Sequence, residues 1–136
     1  MFQRELENLG AEKIVLGGHN PKGEAFQDFQ KALKALSNTG IILAISSKNE
    51  ESIALHAIEN HPEMYLRKND FVAWRINWDD KAKNILEITR ELNLGLDSVV
   101  FLDDNPFERE RVKNSLPEVL VPELPSDPLL YRHFLL

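Results

Sequence analysis

Apolar stretches of two kinds alternate along the chain. Apolar residues recur at helical spacing from a start at Asn20-Pro21 until Gly40, which predicts an amphipathic helix with proline in its first turn. Residues 41–45 then form a short, continuous apolar run that stops at a polar stretch, residues 46–49. Such a run is typical of a strand that is buried on both faces, as in a parallel sheet.

The same alternation continues to the end of the chain. It predicts a helix over residues 49–60, a strand over 71–76, a helix from Asn77 or Asp79 to Leu94-Gly95, a strand over 98–102, a helix over 107–116 after Pro106, and a short last strand over 118–121. Residues 122–136 are expected to form a tail packed on the surface. Strands that alternate with helices of this length predict βαβ units and one parallel sheet covered by helices on both faces.

Composition limits the class of protein. The 136 residues, 43% hydrophobic and 28% charged, fit a single domain over 1–136. Sixteen basic and 22 acidic residues give a net charge of −6, and the basic ones are scattered, which argues against a nucleic-acid partner. The chain has no cysteine and no apolar run near the ~20 residues of a spanning helix, so we expect a cytoplasmic protein outside the membrane.

Polar side chains that suit a phosphate with Mg²⁺ lie at the ends of two predicted strands. Ser47 follows one strand, Asp103 and Asp104 follow another, and Lys81 lies in the first turn of the helix between them. The carboxyl ends of parallel strands form the ligand crevice in sheets of this kind. A hydroxyl, an ammonium group and two hard oxygen ligands are what a phosphate and its metal ion need.

Each of these residues also has a purely structural interpretation. Ser47 could satisfy loop backbone groups, Lys81 could be a solvated helix lysine, and Asp103 with Asp104 could cap the next helix. Two adjacent carboxylates at a buried strand end repel each other unless a cation intervenes, so the acid pair is the stronger signal. The histidines, which show no zinc-type spacing and receive no role, are His19, His56, His61 and His133.

Several ordered blocks of the sequence resemble a known family over nearly the whole chain. They are Ile45-Ser46-Ser47-Lys48-Asn49-Glu50, His61-Pro62-Glu63-Met64, Asn77-Trp78-Asp79-Asp80-Lys81, Leu92-Asn93-Leu94-Gly95-Leu96-Asp97, and the runs 100–110 and 119–125. These blocks resemble the FkbH-like branch of the haloacid dehalogenase (HAD) superfamily, of the phosphatase subfamily IIIC type. The resemblance implies a HAD-like Rossmannoid parallel sheet with helices on both faces.

The resemblance also implies a role for each candidate residue. Ser47 would be the phosphate-binding hydroxyl of the second HAD motif, Lys81 the lysine of the third, and Asp103 with Asp104 the acidic fourth motif that holds Mg²⁺. The implied substrate is a phosphorylated small molecule. Relatives either hydrolyse phosphate esters or pass a glyceryl group from a bisphosphorylated glycerate to an acyl carrier protein.

The first motif of that family, an Asp-x-Asp-x-Thr run that supplies the nucleophile, has no counterpart in the sequence. Aligning the family pattern places it just before Met1, so we expect an N-terminally truncated part of a larger protein, an enzyme by family that is inactive alone. The central first strand of the sheet should then be missing. Either residues 12–16 move into the gap, or an upstream portion completes the sheet.

The sequence leaves one alternative function open and excludes another. One is a non-catalytic HAD-like module that docks a carrier protein, with the acid pair acting only as a helix cap. The other, a phospho-receiver domain, is excluded by chain order, because receivers place their acid pair before the hydroxyl and the lysine.

Overall fold

The computed structural model describes residues 13–17, 23–60 and 64–124, of which 13–17 and 23–27 are described by their backbone alone. Its strands are β1 (Lys13–Gly17), β2 (Ile42–Lys48), β3 (Phe71–Asn77) and β4 (Val99–Leu102). Its helices are α1 (Gly23–Asn38), α2 (Glu51–Asn60), α3 (Lys81–Leu92) and α4 (Pro106–Ser115). Two short 3-10 turns, Lys68–Asp70 and Leu96–Ser98, lead into β3 and β4.

The strands form one parallel sheet in the order β3-β2-β1-β4, which confirms the predicted α/β class. β1 lies in the centre, with Val15 beside Ala44 of β2 on one side and Phe101 of β4 on the other. The prediction of a missing central strand is corrected by this topology. The first of the two alternatives holds, since Lys13–Gly17 occupies the position between β2 and β4.

Apolar side chains form a separate core on each face of the sheet, because successive strand residues point to opposite faces. On one face, α1 packs on β2 and β4; the residues of this core include Phe29, Leu33, Leu36, Leu43, Val100 and Leu102. On the other face, α3 and α4 cover the sheet; the residues of this core include Ala44, Ile85, Ile88, Phe101, Val112 and Leu116. Helices on both faces were predicted, and this is confirmed. The two cores also show which strand residues face α3, because Ala44 and Phe101 belong to the core beneath it.

Some element boundaries differ from the predicted ones. β2 continues through Lys48. Three of the polar residues that were expected to follow the strand, Ser46, Ser47 and Lys48, are therefore its last three residues. Asp80, rather than Asn77 or Asp79, caps α3, and Asn93 in a left-handed conformation (φ 55°) ends it before Gly95. The side chain of Asn77 is instead used to accept from the amide of Asp79 and to bond Asn84.

The predicted last strand is reduced to a bridge. Leu120 pairs in parallel with Val100, and its amide and carbonyl bond the backbone of Val99 and Phe101 on the outer edge of β4. The Asn20-Pro21 start of the first helix and the tail beyond residue 124 lie outside the described residues. Among the helices that the structure describes, none is long and apolar enough to cross a membrane.

Candidate functional site

A buried ion pair joins the start of α3 to the end of β4. The Nζ atom of Lys81 donates to Oδ2 of Asp103 at 2.7 Å, and the two side chains are 5% and 0% exposed. β4 brings Asp103 there because all four of its residues are buried and the strand ends just before this aspartate. Two of the four predicted site residues are therefore in direct contact.

The backbone after β4 holds Asp103 in place. Its second carboxylate oxygen, Oδ1, accepts from the amide of Asn105 at 2.9 Å, and its carbonyl oxygen accepts from Nη1 of Arg109 at 3.0 Å. Asn105 in turn caps α4 by accepting from the amide of Phe107, with Pro106 at the first helical position. The turn that carries the acid pair is thus fixed at both ends.

The loop between β3 and α3 positions Lys81. Asp80 caps the helix by accepting from the amide of Ala82 at 2.9 Å, which places Lys81 at the first helical residue. The side-chain amides of Asn77, at the end of β3, and the fully buried Asn84 bond each other, with the shorter bond at 2.9 Å. These contacts leave the lysine side chain directed at Asp103.

Two more ion pairs, which sequence reasoning missed, lie at the same edge of the sheet. Arg111 of α4 bonds Oδ2 of Asp80 at 2.7 Å, and Lys48 at the end of β2 bonds Oε1 of Glu108 at 3.0 Å. The hydrogen bond from Arg111 is the main reason why the pKa of Asp80 lies below its usual range. The spacing of Glu108 and Arg111 on one side of a helix that starts at this edge was a usable signal.

The other two predicted site residues, Asp104 and Ser47, are not bonded to the Lys81–Asp103 pair. Asp104 is exposed, and neither its carboxylate nor the hydroxyl of Ser47 has a hydrogen bond to another residue of the described ranges. Ser47 is half-buried in β2 and, by alternation, lies on the α1 face with Ile45. The structure therefore brings Lys81 and Asp103 together, places Asp104 beside them at the surface, and puts Ser47 on the opposite face of the strand.

Within residues 13–17, 23–60 and 64–124, no group of three acids, histidines or cysteines could hold a metal ion without other ligands. The acid pair supplies two carboxylates, those of Asp103 and Asp104. His56, the one histidine in the described ranges, is exposed near Asn60 on α2. A cation at this edge would therefore need oxygen ligands from a bound anion or from water as well.

Solved structures with the same fold include phosphatases. The chain is 39% identical to the N-terminal part of the protein BF1531 from Bacteroides fragilis, which contains a phosphatase domain and was crystallised with Mg²⁺; the TM-score is 0.87 over 98% of this chain and 41% of that one. The chain therefore spans about two-fifths of the length of that relative. No protein-family model and no curated protein sequence matches it.

Two more distant structures share the fold. One is the 3-deoxy-D-manno-octulosonate 8-phosphate phosphatase of Moraxella catarrhalis, in complex with Mg²⁺, phosphate and KDO (19% identity, TM-score 0.53, covering 81% of this chain and 68% of that one). The other is the hypothetical protein XCC2798 of Xanthomonas campestris (16% identity, TM-score 0.55, covering 86% and 67%). The fold of this chain is that of the HAD phosphatases.

Proposed function

We propose that this chain, which has the HAD phosphatase fold, is a Mg²⁺-dependent phosphoryl-handling domain that binds a phosphorylated small molecule at the carboxyl edge of its sheet. The observation that carries the proposal is the buried Lys81–Asp103 pair at the end of β4 with the exposed Asp104 beside it. A lysine and two carboxylates at this edge have the charges that a phosphate and a divalent cation require.

The residues present fit a Mg²⁺ ion that is shared with a phosphate. Both oxygens of Asp103 accept a hydrogen bond, a carboxylate oxygen can bind more than one partner, and Asp104 is accessible. Mg²⁺ in proteins is commonly held by one or two carboxylates together with substrate phosphate and water. Asp103 and Asp104 would hold the ion, which when bound neutralises charge on the phosphate.

The other two roles concern the phosphate itself. Lys81 would attract and orient it, since its ammonium group has three donors and Asp103 accepts from it through a single carboxylate oxygen. Ser47, the next-to-last residue of β2, would donate its hydroxyl beyond the end of the strand. Both assignments are supported by the position of these residues at the edge where β2 and β4 end.

We propose that the chain by itself binds phosphate without turning it over. The sequence has no Asp-x-Asp run, and covalent phosphoryl transfer needs a carboxylate nucleophile that reaches the phosphorus atom. Asp103 does not supply it, because its carboxylate is held by Lys81 and by the amide of Asn105. The reaction of the domain, with its nucleophile, would be phosphate ester hydrolysis or glyceryl transfer.

An acyl carrier protein is the proposed partner in the glyceryl-transfer case. Two aromatic side chains near the site support a protein contact: Trp78, in the loop before α3, is 67% exposed, and Phe107, in the first turn of α4, is 85% exposed. The ion pair between Asp80 and Arg111 connects these two segments. Apolar surface of this kind next to a polar site is typical of places that contact another molecule.

The alternative is a non-catalytic docking module in which the acid pair only caps a helix. One observation favours it: each carboxylate oxygen of Asp103 already accepts a hydrogen bond, one from Lys81 and one from the amide of Asn105, and Asn105 is itself the cap of α4. In such a module neither phosphate nor Mg²⁺ would bind at the end of β4. The two functions therefore differ in the binding of phosphate and Mg²⁺, which can be measured without turnover.

Thermal unfolding with inorganic phosphate separates the two functions. For the wild-type chain we expect phosphate to raise the Tm, and to raise it further when Mg²⁺ is present, because a ligand of the native state stabilises it. Asp104→Asn should abolish the Mg²⁺-dependent part. Asp97→Asn is the matched control, since it removes an exposed aspartate before the other end of β4 and should respond like the wild type. If phosphate does not change the Tm of the wild-type chain, the docking module is favoured.

A further inference from the structure

The hydroxyl of Ser46 is buried without a hydrogen-bond partner. The residue is 0% exposed, and its Oγ atom bonds nothing among the residues that the structure describes. Buried polar atoms in folded proteins nearly always have a partner, so an exception calls for an explanation. The backbone of Ser46 pairs with the strands on both sides of β2, as that of any residue could. This pairing does not account for a hydroxyl at the position.

Ser46 lies on the same face of the sheet as Lys81 and Asp103. Ala44, two residues before it in β2, packs in the core beneath α3 and α4. Phe101, two residues before Asp103, packs in the same core. Because side chains two residues apart in a strand share a face, Ser46 and Asp103 both point toward α3. Ser47, which the sequence motif singles out, points to the other face.

Gly17 of β1 lies between these two residues. It pairs with Ser46 of β2, while the preceding residue, Leu16, pairs with Leu102 of β4. Extending that register by one residue brings Asp103 alongside Gly17. Because glycine has no side chain, β1 contributes only backbone to the α3 face between the serine and the aspartate.

We propose that Ser46 is a second anion-binding hydroxyl of the site, which donates a hydrogen bond to an oxygen of the anion attracted by Lys81. This inference rests on the proposed function, and it adds a hydroxyl on the α3 face of the sheet to that of Ser47, which lies on the other face. The part of the anion that reaches these two side chains must be small, such as a phosphoryl group, because both Ser46 and the Lys81 side chain lie below the surface. The donor is present before the ligand arrives, and binding gives it the acceptor that it lacks.

Ser46→Ala tests this role, because an unpaired hydroxyl and a structural one respond in opposite ways. Without ligand, the Tm of Ser46→Ala should equal or exceed that of the wild type, since no hydrogen bond is lost. With Mg²⁺ present, its Kd for inorganic phosphate should be about tenfold weaker, as expected for the loss of one hydrogen bond to a charged group.

Thr89→Val is the matched control. Its hydroxyl is also buried, but it bonds the carbonyl oxygen of Leu86 at 2.8 Å near the far end of α3. This variant should lower the Tm and leave the Kd for phosphate unchanged. The inference is overturned if Ser46→Ala binds phosphate like the wild type, or if it loses Tm as Thr89→Val does. A wild-type chain that does not bind phosphate overturns the proposed function, and this inference with it.

Discussion

Lys81 and Asp103 are 22 residues apart in the chain, and their side chains meet at 2.7 Å with almost no contact with solvent. Desolvating two charges is costly, and their attraction offsets that cost only when further hydrogen bonds satisfy the rest of each group. Asp103 has such a bond from the amide of Asn105. The ammonium group of Lys81 uses one of its three donors on Asp103, so two remain with which it can bind an anion.

Removing one partner of the pair should destabilise the chain strongly. Lys81→Met leaves the carboxylate of Asp103 buried without its cation, and we expect a loss of about 3–5 kcal/mol in the free energy of unfolding. Asp103→Asn in the same chain should recover part of this loss, because it removes the unpaired charge. Urea unfolding of the two single variants and the double variant measures the coupling.

Lys83→Met serves as the control for this experiment. Lys83 lies two residues further along α3, is exposed, and forms a surface ion pair with the exposed Asp79. Its substitution should change the free energy of unfolding by less than about 0.5 kcal/mol. If the effects of Lys81→Met and Asp103→Asn simply add, the two residues do not act as a pair.

The ion pair between Asp80 and Arg111 should give a pH-dependent contribution to stability. The hydrogen bond from Arg111 holds the pKa of Asp80 below its ordinary value of 3.8, so the contribution is complete above pH 3.8 and is lost as the pH falls through the lower, folded-state pKa. Asp80→Asn keeps a capping oxygen and removes only the charge. Because the Arg111 side chain is 62% exposed, we expect a loss under about 1 kcal/mol at pH 7.

Urea unfolding of wild type and Asp80→Asn at several pH values measures this difference. It should be constant at neutral pH and shrink in acid below pH 3.8. In a chain that already carries Arg111→Gln, most of the difference should be absent. A difference that is equally large at every pH, or that persists without the arginine, would place its origin in the helix cap instead.

The side-chain amide pair of Asn77 and Asn84, which holds the β3–α3 loop, should contribute more to the free energy of unfolding than the exposed side chains next to it on α3. Asn84 is fully buried and bonds Asn77, so Asn84→Ala leaves polar atoms of Asn77 without their partner. We expect a loss of about 1–3 kcal/mol in the free energy of unfolding. Lys83→Met on the adjacent helix position again provides the baseline in the same denaturation series, and an equal effect of the two substitutions would show that the amide pair does not stabilise the loop.

Hydrogen exchange tests the central position of β1. Because Lys13–Gly17 pairs with strands on both sides, the amides of residues 43–45 in β2 should exchange slowly in the isolated monomer, as should those of β1 itself. Rapid exchange of both sets, with α3 still protected, would show that the strands do not pair in solution.

The sequence predicted the end of β4 well for a simple physical reason. Residues 99–102 are apolar because both faces of the strand are buried, and the first polar residues after them, Asp103 and Asp104, mark the edge of the sheet. The position of Lys81 followed in the same way from the start of the next predicted helix. These parts of the site depend on local pattern alone.

Other parts depend on register, which a continuous apolar run does not encode. Nothing in the run that ends at Ile45 indicates that the strand continues to Lys48, nor which of Ser46 and Ser47 faces α3. The cap of α3 was equally ambiguous, because Asp79 and Asp80 are adjacent and only the bond to Ala82 distinguishes them. The central place of β1 follows from pairing with strands that are distant in sequence.

Titration calorimetry with Mg²⁺, in the presence and absence of inorganic phosphate, is the most direct test of the central claim that Asp103, Asp104 and Lys81 form a shared site. With two carboxylates and no third acidic ligand among the described residues, the chain should bind Mg²⁺ weakly by itself and more tightly when phosphate is present, and phosphate should gain by the same factor from Mg²⁺. Asp104→Asn should remove this coupling. Tight, stoichiometric Mg²⁺ binding without phosphate, unchanged by Asp104→Asn, would contradict the account.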